Sequence, residues 1–202
     1  MTEVAGEFRR IELSTAWVEL PGPAEEREAA LDAIVERYAD VADEPRGRLR
    51  RSLGIVAQIA SELAPGAHSS FALILTPGSG LVEALLSIRV TRVTPDAYDN
   101  YLSAARALDG DTSTELIRRR VEEVALPEGR AILSSDFTLP IVREGIPSPA
   151  TERTFLAIFP DGYETATEFT LLTQNLALIE DAGSYLLALA AGENPPFTTE
   201  GT

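Results

Sequence analysis

Apolar residues recur at every third or fourth position between residues 24 and 64, which is the spacing of one helix face. One such stripe predicts a helix over residues 24–42. A second predicts a helix over residues 46–64, which Pro65 and Gly66 end. The connection between the two is short, which favours an antiparallel pair. A strand over residues 15–20 is predicted before them.

Apolar runs separated by turn residues dominate the rest of the chain and predict three β-hairpins. The first hairpin has SSFALILT and LVEALLSIRVTRV on either side of PGSG, residues 77–80. The third has RTFLAIFP and TATEFTLLTQ on either side of DGYE, residues 161–164. Between them, STELIRRRVEEVAL fits a helix or a strand in its first half, while PEG at residues 127–129 favours a hairpin over its second half.

Two further helices are predicted among these hairpins. One opens at Thr94 and Pro95, and the last covers residues 176–191 and ends at Gly192. Consecutive hairpins indicate an antiparallel sheet, and amphipathic helices must cover its apolar faces. The predicted fold class is therefore α+β, a single-domain antiparallel sheet layered with amphipathic helices.

The length of the chain, 202 residues and 21.7 kDa, suits one domain with one core. Residues 1–192 are expected to form that single α+β domain. Residues 193–202, ENPPFTTEGT, are expected to be a disordered tail.

The net charge of the chain excludes some classes of binding partner. The chain carries 32 acidic and 17 basic residues, all the latter arginine, for a formal net charge of −15. A surface of this sign repels nucleic-acid phosphates and anionic lipid, so neither nucleic acid nor a membrane is expected as a partner. The first residues lack the apolar run of a signal peptide, and no stretch approaches the roughly 20 apolar residues of a membrane-spanning helix. A cytoplasmic location is the resulting expectation.

The residue types that are missing exclude much of the common catalytic chemistry. Without lysine there is no Schiff base and no P-loop lysine, and without cysteine there is no thiolate nucleophile or zinc–thiolate site. A Ser-His-Asp triad would depend on His68, the one histidine. His68 lies between a helix stop and an apolar strand, which favours a structural connection. No catalytic residue and no cofactor are predicted.

The segment DGDTSTE, from Asp109 onward, resembles the opening of a calcium-binding loop. The sixth position is Thr114 where that loop needs glycine, and the twelfth is Arg120 where it needs a bidentate glutamate. No metal site is therefore predicted.

Arginines form two clusters. The first, over residues 46–51, follows Asp43 and Glu44, which predicts local ion pairs across the turn. The second cluster is the candidate contact surface for an acidic protein partner and consists of Arg118, Arg119 and Arg120.

Two considerations bear on the second cluster. Glu122 and Glu123 follow it after Val121. Ion pairs within the chain are therefore the alternative to contacts with a protein partner. Neighbouring residues of a strand also point to opposite faces, so the three arginines need not form one patch.

The segments VALPEGRAILS and FLAIFPDGYETATEFTLLTQ are followed by a C-terminal amphipathic helix. In these segments the chain resembles small actinobacterial proteins of uncharacterised function with a PsbP-like α/β/α arrangement. The resemblance implies an antiparallel sheet between helices, used for binding rather than catalysis. It carries over no functional residue.

Two functional hypotheses follow. The first is a non-enzymatic cytoplasmic interaction or accessory protein with a protein partner, because a well-patterned fold lacks most catalytic residue types. The second is a small-ligand-binding protein, or a hydrolase that uses carboxylates or His68. A pocket with convergent polar groups would favour a ligand, and a flat exposed apolar patch would favour a protein partner.

Overall fold

The computed structural model describes residues 11, 13–22, 27–63, 69–107, 114–140, 150–162 and 164–197. These ranges contain seven β-strands and four α-helices. The strands are β1 Trp17–Glu19, β2 Ser69–Leu73, β3 Ala84–Arg92, β4 Thr114–Leu126, β5 Gly129–Pro140, β6 Thr151–Pro160 and β7 Thr165–Thr173. The helices are α1 Arg27–Glu36, α2 Asp43–Leu63, α3 Ala97–Arg106 and α4 Ala182–Ala190.

The strands form one sheet in the order β1-β2-β3-β7-β6-β5-β4. Every neighbouring pair is antiparallel, and the three predicted hairpins are the pairs β2/β3, β4/β5 and β6/β7. This arrangement confirms the predicted α+β class with an antiparallel sheet and covering helices.

Helices cover both faces of the sheet. On one face, α1 and α2 pack their leucines on β1, β2 and β3. On the same face, α3 packs Tyr98 on Ile132, Ala157 and Phe159 of β5 and β6. The opposite face holds the largest apolar cluster, in which α4 covers the centre of the sheet. Burial of these apolar faces is the main stabilising term of the fold.

The predicted local ion pairs form at two arginines of the first cluster, Arg46 and Arg48. Arg46 pairs with Asp43 at 2.5 Å, and Arg48 pairs with Glu44 one helical turn away. Arg50 instead reaches α1, where its Nε donates to Asp32 at 2.6 Å. This third contact joins the two helices.

The final helix begins later than the periodicity predicts. Leu176, Leu178 and Ile179 have helical spacing, but the helix starts at Ala182 because Asp181 caps it. The Asp181 carboxylate accepts a hydrogen bond from the Ser184 N–H at 3.0 Å. Residues before Asp181 form turns, in which side chains still reach the core.

The segment after α4 is described as far as residue 197. The Phe197 ring stacks on Tyr185 with centroids 5.7 Å apart and lies 6.1 Å from the Trp17 ring. The Trp17 indole N–H donates to the Tyr185 hydroxyl at 3.1 Å. Residues 198–202 of the predicted tail lie outside the described residues.

Replacing Asp181 with alanine is expected to destabilise the fold by about 1 kcal/mol, because the cap of α4 is lost. The hydrogen bond from the Ser184 backbone N–H holds the pKa of Asp181 below its usual value. A carboxyl whose pKa is depressed by folding stabilises the protein above its unfolded pKa, and that contribution disappears as the pH falls through the folded pKa. Urea unfolding of Asp181→Ala and Asp181→Asn at pH 7 measures the effect. Asparagine caps well, so the asparagine variant should lose less stability than the alanine variant.

Candidate functional site

A cleft opens on the face of the sheet that α1, α2 and α3 cover. It lies between the C-terminal end of α2 and the side of α3. Its volume is about 500 Å³, within the range of small-molecule sites. Leu63 closes one side, and Tyr101, Ala104 and Ala105 of α3 close the other. The four strands β3, β7, β6 and β5 form the floor.

The strand register places three hydroxyl-bearing side chains and one phenylalanine in a row along this floor. Ser87 lies opposite Thr170, Thr170 opposite Phe155, and Phe155 opposite Ser134. Residues directly opposite in antiparallel strands point to the same face, so all four line the cleft.

The hydroxyl groups of that row differ in their partners. The Ser87 hydroxyl is hydrogen-bonded to the Ser70 hydroxyl at 2.9 Å. Within the described part of the chain, the hydroxyls of Ser134 and Thr170 have no hydrogen-bond partner, although Thr170 is only 7% exposed. Two hydroxyl groups on a rigid sheet are therefore free to bind a molecule in the cleft.

A buried carboxylate lies at one end of the cleft. Glu168 is 4% exposed. Its Oε2 accepts hydrogen bonds from Arg89 Nε at 3.0 Å and Nη2 at 2.5 Å, and its Oε1 accepts one from the Tyr101 hydroxyl at 2.5 Å. Burial of the phenol, and then its bond to Glu168, raise the pKa of Tyr101 to about 12. Tyr101 is therefore a neutral hydrogen-bond donor at physiological pH.

A second carboxylate lies at the other end and is paired in a fork geometry. Asp136 accepts from Arg119 Nε at 2.6 Å and from Arg119 Nη2 at 2.7 Å. Arg119 also donates to the carbonyl oxygen of Ala107, after α3. Two parallel bonds fix the guanidinium plane, which makes this end of the cleft rigid.

Arg153 lies opposite Asp136 in the register of β5 and β6, and it also lines the cleft. Its side chain is exposed. In the parts of the chain that the structure describes, no carboxylate is within ion-pair distance of it. The described lining residues include three arginines and two carboxylates, so the cleft carries one excess positive charge.

The structure separates the three arginines predicted to contact a partner. Arg119 lies on the cleft face. Arg120 lies on the opposite face, where it lines a smaller hollow beside α4 and pairs with Glu122. Arg118 shares that face with Glu152, whose pKa is raised by burial in spite of the nearby Arg118 charge. The three therefore belong to two surfaces on the edge strand β4.

Two other sequence candidates fall on undescribed parts of the chain. His68 and residues 109–113 of the Asp109 segment lie outside the described residues, and the last two residues of that segment, Thr114 and Glu115, begin β4. Among the described residues, no group of three or more histidine, aspartate or glutamate side chains has a geometry that could hold a metal ion. No helix of the described ranges is long and apolar enough to cross a membrane.

Both carboxylates of the cleft are held by cations. Glu168 accepts three hydrogen bonds and Asp136 accepts two, out of the roughly four that a carboxylate can accept. A general base needs a lone pair directed at its substrate. In both carboxylates an arginine competes for the lone pairs that such a base would use.

No protein-family model matches this chain, and no curated protein is similar to it at a significant level.

Proposed function

We propose that the protein binds a small anionic molecule in the cleft between α2 and α3. The observation that carries this proposal is Arg153, an exposed guanidinium that lines the same cleft as the Ser134 and Thr170 hydroxyls, which have no hydrogen-bond partner among the described residues. A pocket of suitable volume with convergent polar groups favours ligand binding, the second of the two sequence hypotheses.

The charge of the molecule follows from the donors. A guanidinium and hydroxyl groups together match the oxygens of a carboxylate or a phosphate. The chain as a whole carries a net charge of −15, so long-range attraction does not bring an anion to this surface. Direct contacts in the cleft must supply the affinity, and the Phe155 ring in the floor offers apolar surface next to them.

Binding is a better description than turnover. The hydrolase alternative needs a free carboxylate or His68 in the cleft. Asp136 and Glu168 are both paired with arginine, which favours binding over carboxylate-catalysed hydrolysis in this cleft.

Arg153→Gln is expected to weaken binding about tenfold or more, because hydrogen bonds to a charged group are worth about 1.5–3 kcal/mol. Thr170→Val, which removes one hydroxyl at nearly constant shape, should weaken it less. The measurement is a thermal-shift screen of small carboxylates and phosphates, followed by calorimetry of the anions that raise Tm.

Arg92→Gln is the matched control, because Arg92 is an exposed arginine of β3 that does not line the cleft. It should bind as the unaltered protein does. Stabilisation by neutral or cationic compounds alone, or equal affinities for Arg153→Gln and Arg92→Gln, would contradict the proposal.

Protein–protein interaction, the first sequence hypothesis, is the second candidate function. It is favoured by the outer edge of β4, with which no strand pairs among the described residues. Arg119 flanks this edge on the cleft face, and Arg118 and Arg120 flank it on the opposite face. Its cytoplasmic setting and the kinship with PsbP-like proteins stay predictions from the sequence.

A further inference from the structure

The two edges of the sheet differ greatly in length. β1 has three residues, whereas β4 at the other edge has 13. In the described part of the chain, no strand pairs with the outer side of β4. A long open edge presents a row of backbone N–H and C=O groups to which another strand can bind.

The hydrogen bonds of the neighbouring strands show which backbone N–H and C=O groups of β4 point away from β5. Asp161 N–H donates to the Glu128 carbonyl at 2.9 Å, and Gly129 lies opposite Pro160, which has no N–H to give. Hydrogen-bonded and non-hydrogen-bonded pairs alternate along antiparallel strands. At the start of β5, the backbone groups of even-numbered residues thus form hydrogen bonds to β6, and those of odd-numbered residues form hydrogen bonds to β4.

The same alternation applies to β4. Gly129, Ala131 and Leu133 lie opposite Leu126, Val124 and Glu122, which direct their backbone groups at β5. Val121 and Glu123 therefore direct theirs outward. A bulge between Leu116 and Arg118 interrupts the ladder, so the regular open segment runs from residue 118 onward.

The order of charged residues along this segment is complementary to the same segment running in the opposite direction. If two β4 strands pair antiparallel about Val121, Arg120 lies opposite Glu122 of the second copy. Arg119 lies opposite Glu123 of the second copy, but Asp136 holds Arg119 and Arg106 holds Glu123 within each chain, so the pair of Arg120 and Glu122 carries the complementarity. Twofold symmetry repeats each pair. Opposite charges directly across strands stabilise pairing, whereas parallel pairing in register would place arginine against arginine.

We propose that β4 binds β4 of a second copy of this chain, which joins the two seven-stranded sheets into one continuous sheet. Val121 pairs with its own counterpart at the twofold axis through outward backbone groups. Arg120 and Glu122 occupy the closer, non-hydrogen-bonded positions on the α4 side. Charges on edge strands commonly prevent association, but here the symmetric order of arginine and glutamate favours one partner, the chain itself.

The test is sedimentation of the full chain across a range of concentrations. The unaltered protein is expected to dimerise. Arg120→Glu and Glu122→Arg should each weaken the dimer about tenfold or more, because each places like charges across the axis. An equal mixture of the two variant chains should restore it as a heterodimer, since every cross-strand pair is then of opposite sign.

Val121→Pro tests the backbone contact itself. The Val121 N–H does not bond to β5, so proline is compatible with the monomer fold and blocks edge pairing. Circular dichroism checks that each variant is folded. A monomeric unaltered protein, a dimeric Val121→Pro variant or a mixture that stays monomeric would overturn the proposal. Ligand binding depends on Arg153 rather than on this edge, so the two proposals fail separately.

Discussion

Arg89→Met is expected to lower the free energy of unfolding by about 3 kcal/mol at pH 7, because it removes a cation from a buried carboxylate. The Glu168 side chain is 5% exposed and Arg89 is 34% exposed. Loss of Arg89 leaves Glu168 charged and almost fully buried, with Tyr101 as its remaining donor in this network. Urea unfolding of the variant and the unaltered protein measures the difference.

The reverse change should cost less. Glu168→Gln is expected to destabilise by about 1 kcal/mol, because the amide keeps part of the hydrogen bonding and the half-buried Arg89 can turn toward solvent. The double variant Arg89→Met with Glu168→Leu should recover most of the loss, since no buried charge remains.

Comparison of the single variants separates this mechanism from a simple loss of packing. Equal losses of stability for Arg89→Met and Glu168→Gln would show that the charge of Glu168 is not the cause.

Much of the fold could be predicted because the patterns are local. The turn residues at 77–80, 127–129 and 161–164 each separate two strands that do pair. The ambiguous first half of STELIRRRVEEVAL needed more than local pattern. It is strand because β5 pairs with it along its length, and such long-range pairing overrides weak helical spacing.

The cleft could not be predicted in the same way. Ser87, Ser134, Phe155 and Thr170 become neighbours through the register of four strands, and no spacing in the sequence encodes that register. One signal was present. Glu168 interrupts the apolar run TATEFTLLT, and a buried charge in such a strand requires a partner. The identity of that partner, Arg89, depends on the pairing of β3 with β7.

Gly129→Ala is expected to lower the free energy of unfolding by about 3 kcal/mol or more. Gly129 begins β5 with φ of 151°, a conformation that residues with a side chain rarely adopt. A Cβ atom there would lie 2.3 Å from the carbonyl oxygen of Phe159 and 2.9 Å from the Cα of Pro160. Both are backbone atoms of β6, so relief of the clash requires the two strands to move apart.

Gly54→Ala is the matched control for this change. Gly54 lies inside α2, where the nearest atom to an added Cβ is Arg50 Nη1 at 3.9 Å. Alanine is favoured over glycine inside a helix by about 1 kcal/mol, so this variant should be more stable than the unaltered protein. The same methyl group is thus expected to have opposite effects at the two positions, as measured by urea unfolding. Losses of similar size at both would mean that the close approach of β5 to β6 at Gly129 does not limit the residue there.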